Sequence, residues 1–125
     1  MILVHSKESG FTLIELAIVI AIIAILAVVA LPKFISLSSN ANTAATNAVA
    51  GALSSANSNN YAARSLSSSL GNAVANCTDV ATALQGGLPT GYTITSAAVA
   101  AGSTVSCTLT GPGSTTATFT ATGIS

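Results

Sequence analysis

Residues 10–32 read GFTLIELAIVIAIIAILAVVALP, and this stretch decides the fold of the chain. We call residues 11–31 the apolar segment, because every side chain in it except those of Thr12 and Glu15 is apolar. An amphipathic helix of a soluble domain would carry polar residues on one face, so this pattern indicates a membrane-spanning helix. At about 1.5 Å per residue the segment is roughly 30 Å long, enough to cross the hydrocarbon core of a bilayer.

The carboxylate of Glu15 is the unusual feature of the apolar segment. An acidic side chain at the middle of a membrane span costs about 2.5–3.5 kcal/mol, and somewhat less near an end, so it requires a partner or a route to water. Two interpretations are open. Either Glu15 pairs with a positive group, or its side chain reaches the membrane surface and makes no specific contact.

The boundary between residues 1–10 and the apolar segment has a specific pattern. Gly10 directly precedes Phe11, Glu15 lies four residues further on, and the only apolar run before Gly10 is too short for an ordinary secretory signal. This pattern resembles the class III signal of type IV prepilins. The resemblance implies that a prepilin peptidase cuts between Gly10 and Phe11, that the new amino terminus of Phe11 is methylated, and that Glu15 sets the register between assembled subunits.

The chain is divided by its residue pattern and by this resemblance into four parts. Residues 1–10 are a leader that is removed, and residues 11–31 form a transmembrane and filament-core helix. Residues 32–64 form the amphipathic half of the same helix, and residues 65–125 form a globular head.

Pro32 marks the change from the apolar to the amphipathic half of the helix. A proline inside a helix removes one backbone donor and clashes with the preceding turn, so a kink is expected here. The resemblance implies that the helix near Pro32 can melt on assembly, while a bent but continuous helix is the alternative. Beyond it, small and apolar residues recur at helical spacing and predict the face that packs on the head. They are Phe34, Leu37, Ala41, Ala45, Ala48, Val49, Ala52, Leu53 and Ala56.

The head is predicted to contain a loop over residues 65–76, a short helix over residues 78–85 and three strands. Thr78 is the expected N-cap of the short helix, with Asp79 near its positive end. Alternation of Thr or Ser with apolar residues predicts strands at residues 92–96, with possible extension to 99, and at 104–110 and 116–122. The predicted fold class is therefore α+β, a long N-terminal helix packed against a small antiparallel β-meander, which is the pilin fold.

Cys77 and Cys107 are the two cysteines of the chain, and both follow the apolar segment. A cysteine pair in a small domain outside the cytoplasm favours a disulfide. Two free or metal-binding thiols are the alternative, although neither cysteine has a histidine or further cysteine beside it in sequence to complete a metal site.

The composition argues against catalysis and against nucleic-acid binding. Charged residues make up 5% of the chain and the formal net charge is zero, so there is no basic surface for phosphates. The single histidine, His5, belongs to the leader, and the serines lack a neighbouring base that could activate them. We expect neither enzymatic activity nor a cofactor, and no metal site.

The sequence therefore favours a structural subunit of a type IV pilus that serves adhesion, motility or surface interaction. Its expected partners are copies of itself in a helical filament, the inner membrane before assembly, the prepilin peptidase and the pilus assembly machinery. The precursor is expected in the inner membrane and the mature subunit in an extracellular pilus. A minor pilin or a type II secretion pseudopilin is the alternative within the class. A single-span membrane protein whose head binds a ligand without polymerising is the alternative outside it.

Overall fold

The structure is a computed structural model that describes residues 10–125. The predicted leader therefore lies outside the described residues, except for Gly10. Two compact units are present, and their described parts are residues 10–37 and Ser38–Ser125. The elements in chain order are helix α1 (Leu13–Leu66), the 3₁₀ helix η1 (Cys77–Ala83), strands β1 (Thr93–Ile94) and β2 (Thr104–Gly111), the 3₁₀ turn η2 (Pro112–Ser114) and strand β3 (Thr115–Thr122).

The first unit consists of the N-terminal part of α1. The helix begins at Leu13 and continues through Pro32 without a break in secondary structure, so the kink or melting of the helix at Pro32 stays a prediction. Its large apolar side chains are exposed, from 47% for Val19 to 87% for Phe11. Among the described residues, α1 is the helix whose length and composition would allow it to cross a membrane.

The second unit, which we call the globular unit, contains the remainder of α1 and a three-stranded antiparallel sheet in the order β1-β2-β3. Strands β2 and β3 pair along their whole length, from Thr104 opposite Thr122 to Gly111 opposite Thr115. This confirms the predicted α+β architecture and the β-meander. Strand β1 is shorter than predicted, because the backbone after Ser96 pairs with the loop before η1 instead: Cys77 N–H donates to the Ala97 carbonyl at 2.9 Å.

The core of the globular unit lies between α1 and the inner face of the sheet. Leu53 of the helix, Leu109 of β2 and Phe119 of β3 are among its largest fully buried side chains. The disulfide between Cys77 and Cys107 belongs to the same core, since both cysteines are at most 2% exposed. The predicted disulfide is thus confirmed, and it joins η1 to the central strand. The other buried apolar members are Ala50, Val74, Val80, Val99 and Ala121.

The helix face that packs on the sheet is not the predicted stripe of small residues. Of that stripe, Leu53 is buried and Val49 is half-buried, whereas most other members are exposed. Three of the buried positions hold polar side chains, and each of these has a hydrogen-bond partner in the globular unit, which makes its burial tolerable. The buried face consists of Thr46, Ala50, Leu53, Asn57 and Asn60.

The predicted N-cap of the short helix is also wrong. The helix is a 3₁₀ helix that begins at Cys77, and Asn76 rather than Thr78 caps it. The Asn76 side chain accepts from Thr78 N–H at 3.1 Å, and the Asp79 carboxylate accepts from Asn76 N–H at 2.9 Å. These reciprocal bonds form a capping box, which satisfies donors that Thr78 two positions later could not reach. Asp79 lies in the first turn, as predicted.

Candidate functional site

The predicted site residues near the N-terminus lie at the start of α1. Gly10 and Phe11 precede the helix and are exposed, and a Cβ atom added at Gly10 would meet no atom within 4 Å. Glu15 lies in the first turn of the helix. The bond between Gly10 and Phe11 is therefore part of a backbone that neither helix nor tertiary packing shields.

Glu15 and Thr12 bind each other across the first turn. Thr12 N–H donates to Oε2 of Glu15 at 3.2 Å, and Glu15 N–H donates to Oγ1 of Thr12 at 3.3 Å. This is the reciprocal arrangement of a capping box, with threonine as the N-cap and glutamate three residues later. The carboxylate also lies at the positive end of the helix dipole.

Thr12 is thus a site residue that the sequence interpretation missed. The signal was present, because Thr-x-x-Glu directly before an apolar run is the sequence signature of a capping box. Its presence adds a third role for Glu15, beside ionic pairing and extension to water. A carboxylate at this position stabilises the helix start even when no positive group is near.

The exposed surface of the N-terminal unit is the second part of the site. Large apolar side chains project on all sides of the helix between Phe11 and Leu37. Monomeric soluble proteins rarely expose contiguous apolar patches larger than a few hundred Å², and larger ones mark contacts with membranes or other chains. The arrangement offers hydrophobic burial rather than chemistry.

The globular unit contains charged groups that are used for structure. Among residues 10–125, no cluster of three or more His, Cys, Asp or Glu side chains could hold a metal ion. The Asp79 carboxylate accepts hydrogen bonds from Ala75 N–H and Asn76 N–H, both at 2.9 Å. Arg64 donates to the Ser68 carbonyl at 2.8 Å and so closes the loop that follows α1. Both groups hold backbone turns in place.

Comparison with known proteins locates the similarity in part of the chain. The model of the prokaryotic N-terminal methylation motif matches residues 5–31. Over 50 residues the chain is 50% identical to the type IV narrow pilus major component PilA5 of Thermus thermophilus. This match covers 40% of the chain and 43% of that protein, so less than half of the relative's length is represented. No solved structure matches the chain significantly.

Proposed function

Because the methylation motif and the match to a pilin support membership of the type IV pilin family, we propose that this chain is a structural subunit of a type IV pilus filament. The observation that carries the proposal is the exposed apolar helix with a capped carboxylate in its first turn. Such a helix has to be covered by lipid or by other helices, since water solvates it poorly.

Processing is proposed at the bond between Gly10 and Phe11. The motif match includes this bond, and the exposed, non-helical backbone around Gly10 is suited to entry into a peptidase site. Cleavage removes residues 1–10 and creates an ammonium group at Phe11, and methylation of that nitrogen keeps the positive charge. The prepilin peptidase and the assembly machinery are the partners that this step requires.

Glu15 is proposed to pair with the Phe11 ammonium of a neighbouring subunit. In hydrocarbon, a carboxylate and an ammonium each lose several kcal/mol of hydration, and a paired arrangement costs less than leaving either charge unpaired. The capping box holds the carboxylate close to the end of the helix where the new ammonium is formed. A small axial offset between neighbours then aligns the two charges and sets the register.

The filament is proposed to form by burial of the apolar segments against one another. Before assembly the segment spans the inner membrane, and after assembly it lies in the core of an extracellular pilus. In the extracellular filament this burial keeps the apolar surface out of water, and a fully buried Leu or Ile side chain contributes about 1.5–3 kcal/mol relative to exposure in water. A bend or local melting at Pro32 would adjust the helix to its neighbours. Residues 65–125 belong to the head, which is then available for adhesion and surface contact.

The test separates the charge of Glu15 from its capping role. Glu15→Gln keeps a side-chain oxygen that can accept from Thr12 N–H but removes the charge, whereas Thr12→Ala removes the hydroxyl cap and keeps the charge. Each variant is expressed in a piliated host that lacks its own major pilin, and surface filaments are counted by electron microscopy. We expect Glu15→Gln to abolish filaments, as Glu15→Ala should, and Thr12→Ala to retain them.

Processing is measured in the same strains by mass spectrometry of the subunit. Wild type, Glu15→Gln and Thr12→Ala should all begin at a methylated Phe11, whereas Gly10→Val should keep its leader. Normal piliation of Glu15→Gln would show that the carboxylate acts only as a cap. Recovery of the wild-type chain with its leader attached and without filaments would refute the proposal as a whole.

A further inference from the structure

The surface of the globular unit has a groove, which is lined by α1, by the loop after α1 and by the end of η1. Its volume is about 570 Å³, within the range of about 300–1,000 Å³ that is typical of small-molecule sites. We propose that this groove, which we call the amide groove, binds a neutral saccharide of about two sugar rings. The residues that the argument uses are Ala52, Ser55, Asn59, Gly71, Asn72 and Gln85.

The floor of the amide groove is fixed by a buried asparagine. Asn60 is 6% exposed, its Nδ2 donates to the Asn72 carbonyl at 2.8 Å, and its Oδ1 accepts from Asn72 N–H at 2.6 Å. Gly71 has a φ of 66°, and a Cβ atom there would lie 2.7 Å from Asn60 Oδ1, so the close approach requires glycine. The loop is therefore held against the helix, and the groove is formed before any ligand enters.

The lining of the groove selects a neutral ligand. It contains no charged side chain, and residues 80–125 contain no Asp, Glu, Lys or Arg. Arg64 of α1 donates to the Ser68 carbonyl at 2.8 Å and to the carbonyl of the lining residue Gly71 at 3.5 Å, and the Asp79 carboxylate accepts from backbone N–H groups. Because these two charged groups are held by backbone atoms and are not part of the lining, a phosphate, a carboxylate or an amine in the groove would lose hydration without a charged side chain of the lining to pair with.

The polar groups of the groove fit hydroxyl and acetamido groups. Ser55, Asn59 and Gln85 line the groove with exposed hydroxyl and amide groups. Each can both donate and accept, which is what sugar hydroxyls require of a partner. Ala52 and Ala56 belong to the same lining, and their small side chains leave room for a sugar ring to approach the helix. An apolar ligand or a hydrophobic helix of a second copy would leave these amides without partners, so the lining favours a saccharide.

The test uses the full chain, processed to Phe11 and purified in a detergent without a sugar headgroup. N,N′-diacetylchitobiose and lactose serve as probes, and binding is measured by saturation-transfer difference NMR and titration. We expect at least one disaccharide to bind wild type. Ala52→Leu, which fills the groove, and Asn59→Ala, which removes one amide, should each weaken binding about tenfold or more.

Ala48→Leu is the matched control, because Ala48 is also an exposed alanine of α1 but does not line the groove. It should leave the affinity within about twofold, and equal Tyr fluorescence spectra should show that all variants are folded. The inference is overturned if neither disaccharide binds wild type, or if Ala52→Leu and Asn59→Ala both bind like Ala48→Leu. Since binding is measured on dispersed subunits, failure here leaves filament assembly untouched, and loss of filaments in Glu15→Gln leaves the groove untouched.

Discussion

Apolar side chains are treated in opposite ways by the two units of this chain. Phe34 in the N-terminal unit is 67% exposed, whereas Phe119 in the globular unit is 2% exposed. The N-terminal unit is a single helix with apolar residues on every side, so it has no face to bury within itself. The globular unit places one face of its sheet against one face of α1 and buries a small core.

The difference shows which part of the chain carries its own stability. The globular unit has a core, a disulfide and hydrogen bonds between helix and strand, so the contacts that stabilise its fold lie within the unit itself. The apolar segment gains its favourable contacts from its surroundings, which in our proposal are lipid first and neighbouring subunits later. Substitutions of one residue type in both units should therefore give different results in an unfolding experiment.

Among substitutions that shorten a side chain, the largest effect is expected for Phe119→Ala. Truncation of a buried phenylalanine removes apolar burial and leaves a cavity, and it typically costs about 3–5 kcal/mol. Urea unfolding of the full chain in detergent micelles, followed by fluorescence of the half-buried Tyr92, measures the free energy of unfolding of the globular unit. A small domain has about 5–15 kcal/mol in total, so this variant should be close to unfolding.

Phe34→Ala is the matched control for that experiment. Its side chain is exposed and lies in the N-terminal unit, so the same measurement should change by less than about 0.5 kcal/mol. If both variants lost the same free energy of unfolding, the claim that only the globular unit carries its own core would be wrong.

The disulfide provides the next largest effect. Cys77 and Cys107 close a loop with a sequence separation of 30, and the chain-entropy relation gives about 3.5 kcal/mol for a loop of that length. The double variant Cys77→Ala/Cys107→Ala should lose about that much in the urea experiment. Adding a reductant should destabilise wild type and leave the double variant unchanged. A loss below about 1 kcal/mol would mean that the unfolded chain gains little freedom when the bond is absent.

Features that the sequence predicted well are those with a long or regular pattern. The apolar segment, strands β2 and β3 and the disulfide pair were all recognisable, because each depends on hydrophobic period or on cysteine count. The buried face of α1 was not, since Asn57 and Asn60 look like surface residues until the strand and loop that bind them are known. Pattern analysis assigns burial from polarity, and here tertiary hydrogen bonds override it.

Asn57 gives the third prediction, which tests this override directly. It is 3% exposed, its Oδ1 accepts from Thr122 N–H at 2.9 Å, and it thereby closes the free edge of β3. Asn57→Ala should leave that N–H without its partner and lose about 1–3 kcal/mol in the urea experiment. Asn47→Ala, on the exposed side of the same helix, should change it by less than about 0.5 kcal/mol. If both variants lost the same free energy of unfolding, the hydrogen bond of Asn57 would contribute nothing to the stability of the globular unit.

At the candidate site, sequence analysis proposed roles for Gly10, Phe11 and Glu15, which stay predictions, and gave no role to Thr12. The spacing of residues around Gly10 can be read directly from the sequence, and the match to the methylation motif includes these residues. The bond between Thr12 and Glu15 was overlooked because the carboxylate was considered only in relation to charge. The amide groove could not be predicted, since it joins residues from three separate elements and depends on the conformation of the loop at Gly71.

The smallest effect is expected on the outer face of the sheet. The exposed side chains there are polar, whereas those of the N-terminal unit are mostly apolar. Thr118 of β3 lies opposite Thr108 of β2, and both are exposed. Thr118→Lys exchanges one side of a cross-strand pair for a solvated charge, so the free energy of unfolding should change by no more than about 0.5 kcal/mol.

Ala121→Lys, on the inner face of the same strand, buries an unpaired ammonium and should unfold the globular unit. A lysine tolerated at Ala121 would show that the sheet does not keep its inner face against α1. Thr118 is exposed to water. The exposed side chains of the apolar segment differ from it because, in our proposal, lipid or neighbouring subunits cover them.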